Sequence, residues 1–90
     1  MMDQHEQAWQ NFLSLCLSQK EPEDLSELLD FFLSIDEREN VIDRYRITEA
    51  LLKGKMTQRE MSKELGVSIA KITRGSNGLK VASEKLKQKL

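Results

Sequence analysis

The sequence predicts an all-α fold of about six short helices, and three observations carry that expectation. Apolar residues recur at helical spacing, as in Trp9, Phe12, Leu13, Cys16 and Leu17, which fall at i, i+3, i+4, i+7 and i+8. Two S/T-x-x-E capping boxes, Ser34 with Glu37 and Thr57 with Glu60, announce helix starts. A single proline, five aromatics and a hydrophobic fraction of 39% fit a helical chain. Ninety residues make one domain at most, and a chain this short buries only about 60% of its unfolded surface, so a partner subunit is expected.

The elements follow in order. The first apolar stripe predicts a helix over about 4–19. Pro22 is tolerated in the first turn of the next helix, whose positive N-terminal end is favoured by Glu23, Asp24 and Glu27. Leu25, Leu28, Leu29, Phe31, Phe32 and Leu33 are too many apolar groups for one stripe, so that helix is expected to be buried on most sides. The Ser34 box opens a long helix over about 35–53, stopped by Gly54, with Val41, Ile42, Tyr45, Ile47, Leu51 and Leu52 expected to face inward. Arg44 lies between these inward-facing residues, or is simply a solvated charge beside Asp43. The Thr57 box opens TQREMSKEL, which stops at Gly66, and Ser68 caps a new helix almost at once. A last helix, about 84–90, has Ser83 as its cap.

Helix, tight glycine turn, second helix is the helix-turn-helix arrangement, whose second helix enters the DNA major groove. Met61, Leu65, Val67 and Ile72 fall where the two helices must pack, Ser62 is small at their crossing, and Gly66 supplies the left-handed turn. Charge agrees with that reading. Residues 1–52 hold four basic side chains against twelve acidic ones, whereas residues 53–90 hold ten basic against three acidic. A basic half of this size is a footprint for a polyanion. Ile69, Ala70, Lys71 and Thr73 are the side chains the second helix would present to bases and phosphates, with Gln58 and Arg59 opening the helix before it. Lys53, Lys55, Lys63 and Lys80 extend the basic edge as phosphate charges. The segment ITRGSNGLK, residues 72–80, stands out because each Gly costs roughly 0.8–1 kcal/mol relative to Ala inside a helix.

At these residues the chain resembles the tryptophan (trp operon) repressor family. DEREN, RYRITEALLKGKMTQRE, KELG and ITRGSNGLK carry the likeness, close over roughly residues 31–82, with TQRE followed by TRGSN as its specific signature. The resemblance implies an intertwined homodimer, its core helices within 1–53, its helix-turn-helix within 57–82 and its last helix within 83–90. It implies operator double-stranded DNA as partner and L-tryptophan as corepressor, with no other cofactor. By position, Arg44 and Arg74 would sandwich the indole and Arg74 would pair with the ligand carboxylate. A planar guanidinium can do both. Gly75 would let the indole approach the helix backbone, and Phe31, Leu33 and Ser34 would lend carbonyls and a hydroxyl. On the residues alone, Arg74 as a phosphate contact and the glycines as a kink remain open. Gly78 stands where the family pattern commonly has Ser, Lys71 where Thr is familiar, Ser62 where Lys is, and Ile35 where Pro is.

Other classes fare less well. One His, His5, and one Cys, Cys16, provide no nucleophile-base pair and no metal cluster, so no enzyme is expected. The lone cysteine suits a reducing cytosol, no apolar run could span a bilayer, and MMDQHEQ lacks the basic start of a signal peptide, so a cytoplasmic protein is expected. The remaining alternatives are a ligand-independent helix-turn-helix regulator and a helical protein-interaction module.

Overall fold

The computed structural model describes residues 3–90 and shows six helices and no strand among them. They are α1 (Gln4–Leu17), α2 (Pro22–Phe32), α3 (Ile35–Lys53), α4 (Gln58–Leu65), α5 (Ile69–Val81) and α6 (Glu84–Lys89). The chain divides into two compact units, one running through Arg38 and the other from Glu39 to Leu90, with the boundary inside α3.

Local chemistry sets these boundaries. Ser34 Oγ accepts from the Glu37 N–H at 3.1 Å while Glu37 Oε1 accepts from the Ser34 N–H at 2.8 Å, so both arms of the expected box are made. The Thr57 and Glu60 box is likewise reciprocal, at 3.1 Å in each direction. Ser68 and Ser83 cap α5 and α6 through the amides of Lys71 and Leu86. A cap not anticipated from sequence opens α1, where Asp3 Oδ1 accepts from the Glu6 N–H at 2.7 Å. Such caps satisfy amide groups that have no partner inside their own helix. Gly54 and Gly66 end α3 and α4 with φ of 63° and 66°, a left-handed conformation costly for any residue with a Cβ.

In the second unit, Ile47 and Ala50 of α3, Met61 of α4, Val67 of the turn and Ile72 of α5 form the buried core. Leu51, Met56 and Leu65 pack against it half-buried. The crossing of α4 with the turn is pinned by Ser62, whose hydroxyl donates to the Val67 carbonyl at 2.6 Å and whose own carbonyl accepts from the amides of Gly66 and Val67. Arg46 adds a bond from Nη1 to the Leu65 carbonyl at 3.4 Å, joining α3 to the end of α4.

Two faces expected to be buried are open in the single chain. Val41, Ile42, Tyr45 and Leu52 do not face a core within this chain; all four are exposed. Helical spacing marks an apolar face, but burial requires an element to cover it, and the core cluster engages only Ile47 and Ala50 of α3, with Leu51 at its margin. Likewise α2 is not buried on most sides within the single chain. None of its residues is buried, and Phe31 is 81% exposed. In the first unit the aromatic rings cluster: Phe12 of α1 meets Phe32 of α2 edge-on with ring centres 5.2 Å apart, while Trp9 stacks on Phe12 within α1 at 5.8 Å and Phe31 meets Phe32 within α2 at 5.0 Å.

Candidate ligand pocket and nucleic-acid interface

Within the second unit, α3 and α5 face each other across a cavity of about 500 Å³, a size usual for small-molecule sites. Its α3 wall is Asn40, Arg44, Ile47 and Thr48, residues three or four apart and so on one helical face. Its α5 wall is Lys71, Arg74, Gly75, Gly78 and Leu79, and Ala82, Leu86 and Leu90 close the far end. The structure therefore brings together four of the candidate ligand residues, Arg44, Arg74, Gly75 and Gly78. The remaining three, Phe31, Leu33 and Ser34, belong to the first unit. There Phe31 is exposed, the Leu33 amide donates to the Leu29 carbonyl at 2.8 Å, and Ser34 is engaged in the α3 capping box.

The charged lining of the cavity is cationic throughout: Arg44, Lys71 and Arg74, with no carboxylate among the lining residues. Its polar neutral groups are Asn40 and Thr48, and the Thr48 hydroxyl is turned back to donate to the Arg44 carbonyl at 2.8 Å. The rest is aliphatic or glycine. Apolar walls flanked by two guanidiniums are chemically suited to a planar aromatic group that carries a carboxylate.

The two glycines of α5 serve different ends. A methyl group at Gly75 would lie 2.8 Å from Ile47 Cγ2 and 3.7 Å from Leu51 Cδ1, so the missing side chain is what lets α5 seat directly on α3. At Gly78 a methyl group would meet nothing within 4 Å.

Every DNA-facing candidate is exposed: Gln58 and Arg59 at the start of α4, Lys63 further along it, and Ile69, Ala70, Lys71, Thr73 and Lys80 on α5. Ile69, 46% exposed, is not a core residue and leaves the crossing to Val67 and Ile72. Lys71 differs from the others in having a protein partner, since its Nζ lies 3.1 Å from Asp43 Oδ2. Asp43 is thus committed to Lys71 rather than to its neighbour Arg44. Sequence reading missed Asn40, Thr48, Leu79, Ala82, Leu86 and Leu90 as lining residues. The available signal was the spacing of 40, 44, 47 and 48 on one helix and of 71, 74, 75 and 78 on the other.

Among the described residues no group of three or more His, Cys, Asp or Glu could hold a metal ion, and no helix is long and apolar enough to cross a membrane.

Comparison with known proteins agrees with this architecture. The family model described as Trp repressor protein matches residues 7–90. A Trp operon repressor homolog of Chlamydia trachomatis serovar L2 is 48% identical over 88 residues, which covers 98% of this chain and 94% of the relative. The Chlamydia caviae homolog is 44% identical, covering 96% and 85%, and that of Vibrio parahaemolyticus is 45% identical, covering 91% and 80%. With a helix-turn-helix in place and a family match over nearly its whole length, the chain belongs to the Trp repressor family of transcriptional repressors.

Proposed function

We propose that the chain is an L-tryptophan-dependent repressor that binds, as a homodimer, operator DNA of genes for tryptophan synthesis or uptake. One observation carries the reading. The cavity has Arg44 on one wall and Arg74 on the other, and the second wall belongs to the helix whose exposed face is the candidate DNA reader. A ligand lying between the two arginines touches the scaffold helix and the reading helix at once. It therefore favours the DNA-competent setting of α5 by binding that setting more tightly than any other.

Within this scheme the guanidiniums of Arg44 and Arg74 stack on the indole faces, and Arg74 also holds the carboxylate. Ile47 and Leu79 supply apolar surface. Gly78 offers no side chain to the ammonium group. Gln58, Arg59, Lys63, Ile69, Ala70, Thr73 and Lys80 form the DNA face, and a dimer presents two such faces about 34 Å apart, one helical turn of DNA. The dimer is supported by the large apolar side chains left in solvent by a single chain, among them Leu17, Phe31 and Ile35, each more than four-fifths exposed.

The test is isothermal titration with L-tryptophan, repeated with Arg74→Ala and with indole-3-propionate, which lacks the amino group. Saturable binding at one site per chain, abolished by the substitution, is the expected result, and the relative affinity of the analogue reads the contribution of the ammonium group. Absence of heat at millimolar ligand would sink the corepressor role, and DNA binding indifferent to tryptophan would leave a ligand-independent regulator.

A further inference from the structure

We infer that Asp43 and Lys71 form a brace that sets the reading end of α5 against α3 by protein contacts alone, so that Lys71 is a positioning residue and not a DNA contact. The inference rests on the DNA-reading role of α5 given above. Three features of the structure carry it.

The first is electrostatic. The N-terminal turn of a helix carries a partial positive charge and favours acidic residues. Helices α1, α2, α3, α4 and α6 each have an acid in the first turn, whereas α5 has none and carries Lys71 there instead. A cation in that position is unfavourable unless an anion comes from elsewhere, and Asp43, reaching from α3, is that anion at 3.1 Å. The second is topological. The other ion pairs among the described residues, Asp30 with Arg38 and Glu84 with Lys87, join residues close in sequence; Asp43 with Lys71 is the one that ties the helix-turn-helix to the long scaffold helix. The third is placement. Asp43 adjoins Arg44, and Lys71 precedes Arg74 by one turn, so the brace spans the same two helices as the cavity and lies beside the groups that grip the ligand. Ile69 and Ala70, in the turn held by the brace, are the side chains offered to the bases.

Brace and ligand thus act on one hinge. Whatever part of the setting of α5 the ion pair supplies is no longer supplied by tryptophan, and the ligand's enhancement of DNA binding is correspondingly smaller.

The experiment uses the full chain with Asp43→Asn, Lys71→Gln and the charge swap Asp43→Lys with Lys71→Asp. Two quantities are read: hydrogen exchange of the Ile72 amide, which bonds to the Ser68 carbonyl in the braced turn, and affinity for a duplex selected by the wild-type protein from a random pool, with and without L-tryptophan. Either single substitution is expected to speed exchange and weaken ligand-free DNA binding by roughly two- to fivefold, the range of a partly exposed pair. Each also raises the tryptophan enhancement by a similar factor, and the swap restores all three readings. If Asp43→Asn tightens DNA binding while Lys71→Gln weakens it, Lys71 is a phosphate charge and the brace is refuted. Exchange unchanged in both single variants refutes it equally. A wild-type protein that selects a duplex but ignores tryptophan overturns the corepressor reading alone, and the exchange and ligand-free affinities still decide the brace.

Discussion

Between Glu39 and Leu90 five side chains close into a core from which solvent is almost excluded, with Ile47 and Ile72 at 0% exposure; α1 and α2 contain no buried residue at all, though they hold four of the five aromatics. The difference is not one of apolar content. It lies in what each segment can cover by itself. Helices α3, α4 and α5 meet around a tight turn and bury one another's faces, whereas the ring contact between α1 and α2 is the edge-on meeting of Phe12 with Phe32. The helix-turn-helix is a structure the chain completes alone. The amino-terminal helices carry apolar surface that the single chain leaves uncovered, the surface a second chain would cover in the proposed dimer.

The contrast breaks most visibly if it is attacked at both ends. Ile72→Ala is expected to destabilise the folded protein by about 2–5 kcal/mol through lost transfer energy and an unfilled cavity, at all protein concentrations. Leu17→Glu, by contrast, leaves core packing intact and weakens association, so sedimentation equilibrium shifts toward the single chain and the thermal midpoint becomes more concentration-dependent. Equal loss of intrinsic stability from both would mean the two regions are alike.

A smaller effect separates the two glycines of α5. Gly75→Ala drives a methyl group into Ile47 and is expected to cost about 1–3 kcal/mol as overpacking. Gly78→Ala meets open space in a helical backbone and is expected to stabilise by up to about 1 kcal/mol. Chemical denaturation of the two variants checks both signs.

The smallest effect belongs to the start of α3. The Ser34 amide, and after it the Ser34 hydroxyl, bond to Glu37 and hold its carboxyl below the ordinary glutamate value against a slight opposing effect of burial. A lowered folded-state value means that the contribution is fully present above the unfolded glutamate value and is lost as pH falls through the folded one. Acidification is therefore expected to free the Ser34 amide before the core of the second unit responds, and Glu37→Gln should remove that step. Amide chemical shifts followed from neutral to acid pH would show it; simultaneous loss of both regions would contradict it.

Much of this was legible in the sequence because it is local. Capping boxes, left-handed glycines and the small residue at the helix crossing act within a few residues, so spacing reports them directly. Met61, Val67 and Ile72 were readable as a core for the same reason, since a tight turn leaves two short helices few ways to pack. Val41, Ile42, Tyr45 and Leu52 are marked as an apolar face by their periodicity, but periodicity does not say what covers that face, and within one chain nothing does. The pairing of Asp43 with Lys71, and the bond from Arg46 to the Leu65 carbonyl, depend on how distant segments meet, which no local pattern encodes. Arg44 and Arg74 were identified by resemblance. Their shared cavity, and the part of Asn40, Thr48 and Leu86 in it, came only from the fold.

The lack of room for a side chain at Gly75 beside Ile47 also constrains how this lineage can change. A first mutation adding a side chain at 75 collides with Ile47, while a first mutation trimming Ile47 opens a hole in the core. Either intermediate is less stable than its ancestor, so the two positions can move only together, across a fitness valley. A glycine that looks like a weak point in a helix is then among the residues an evolving population finds hardest to replace.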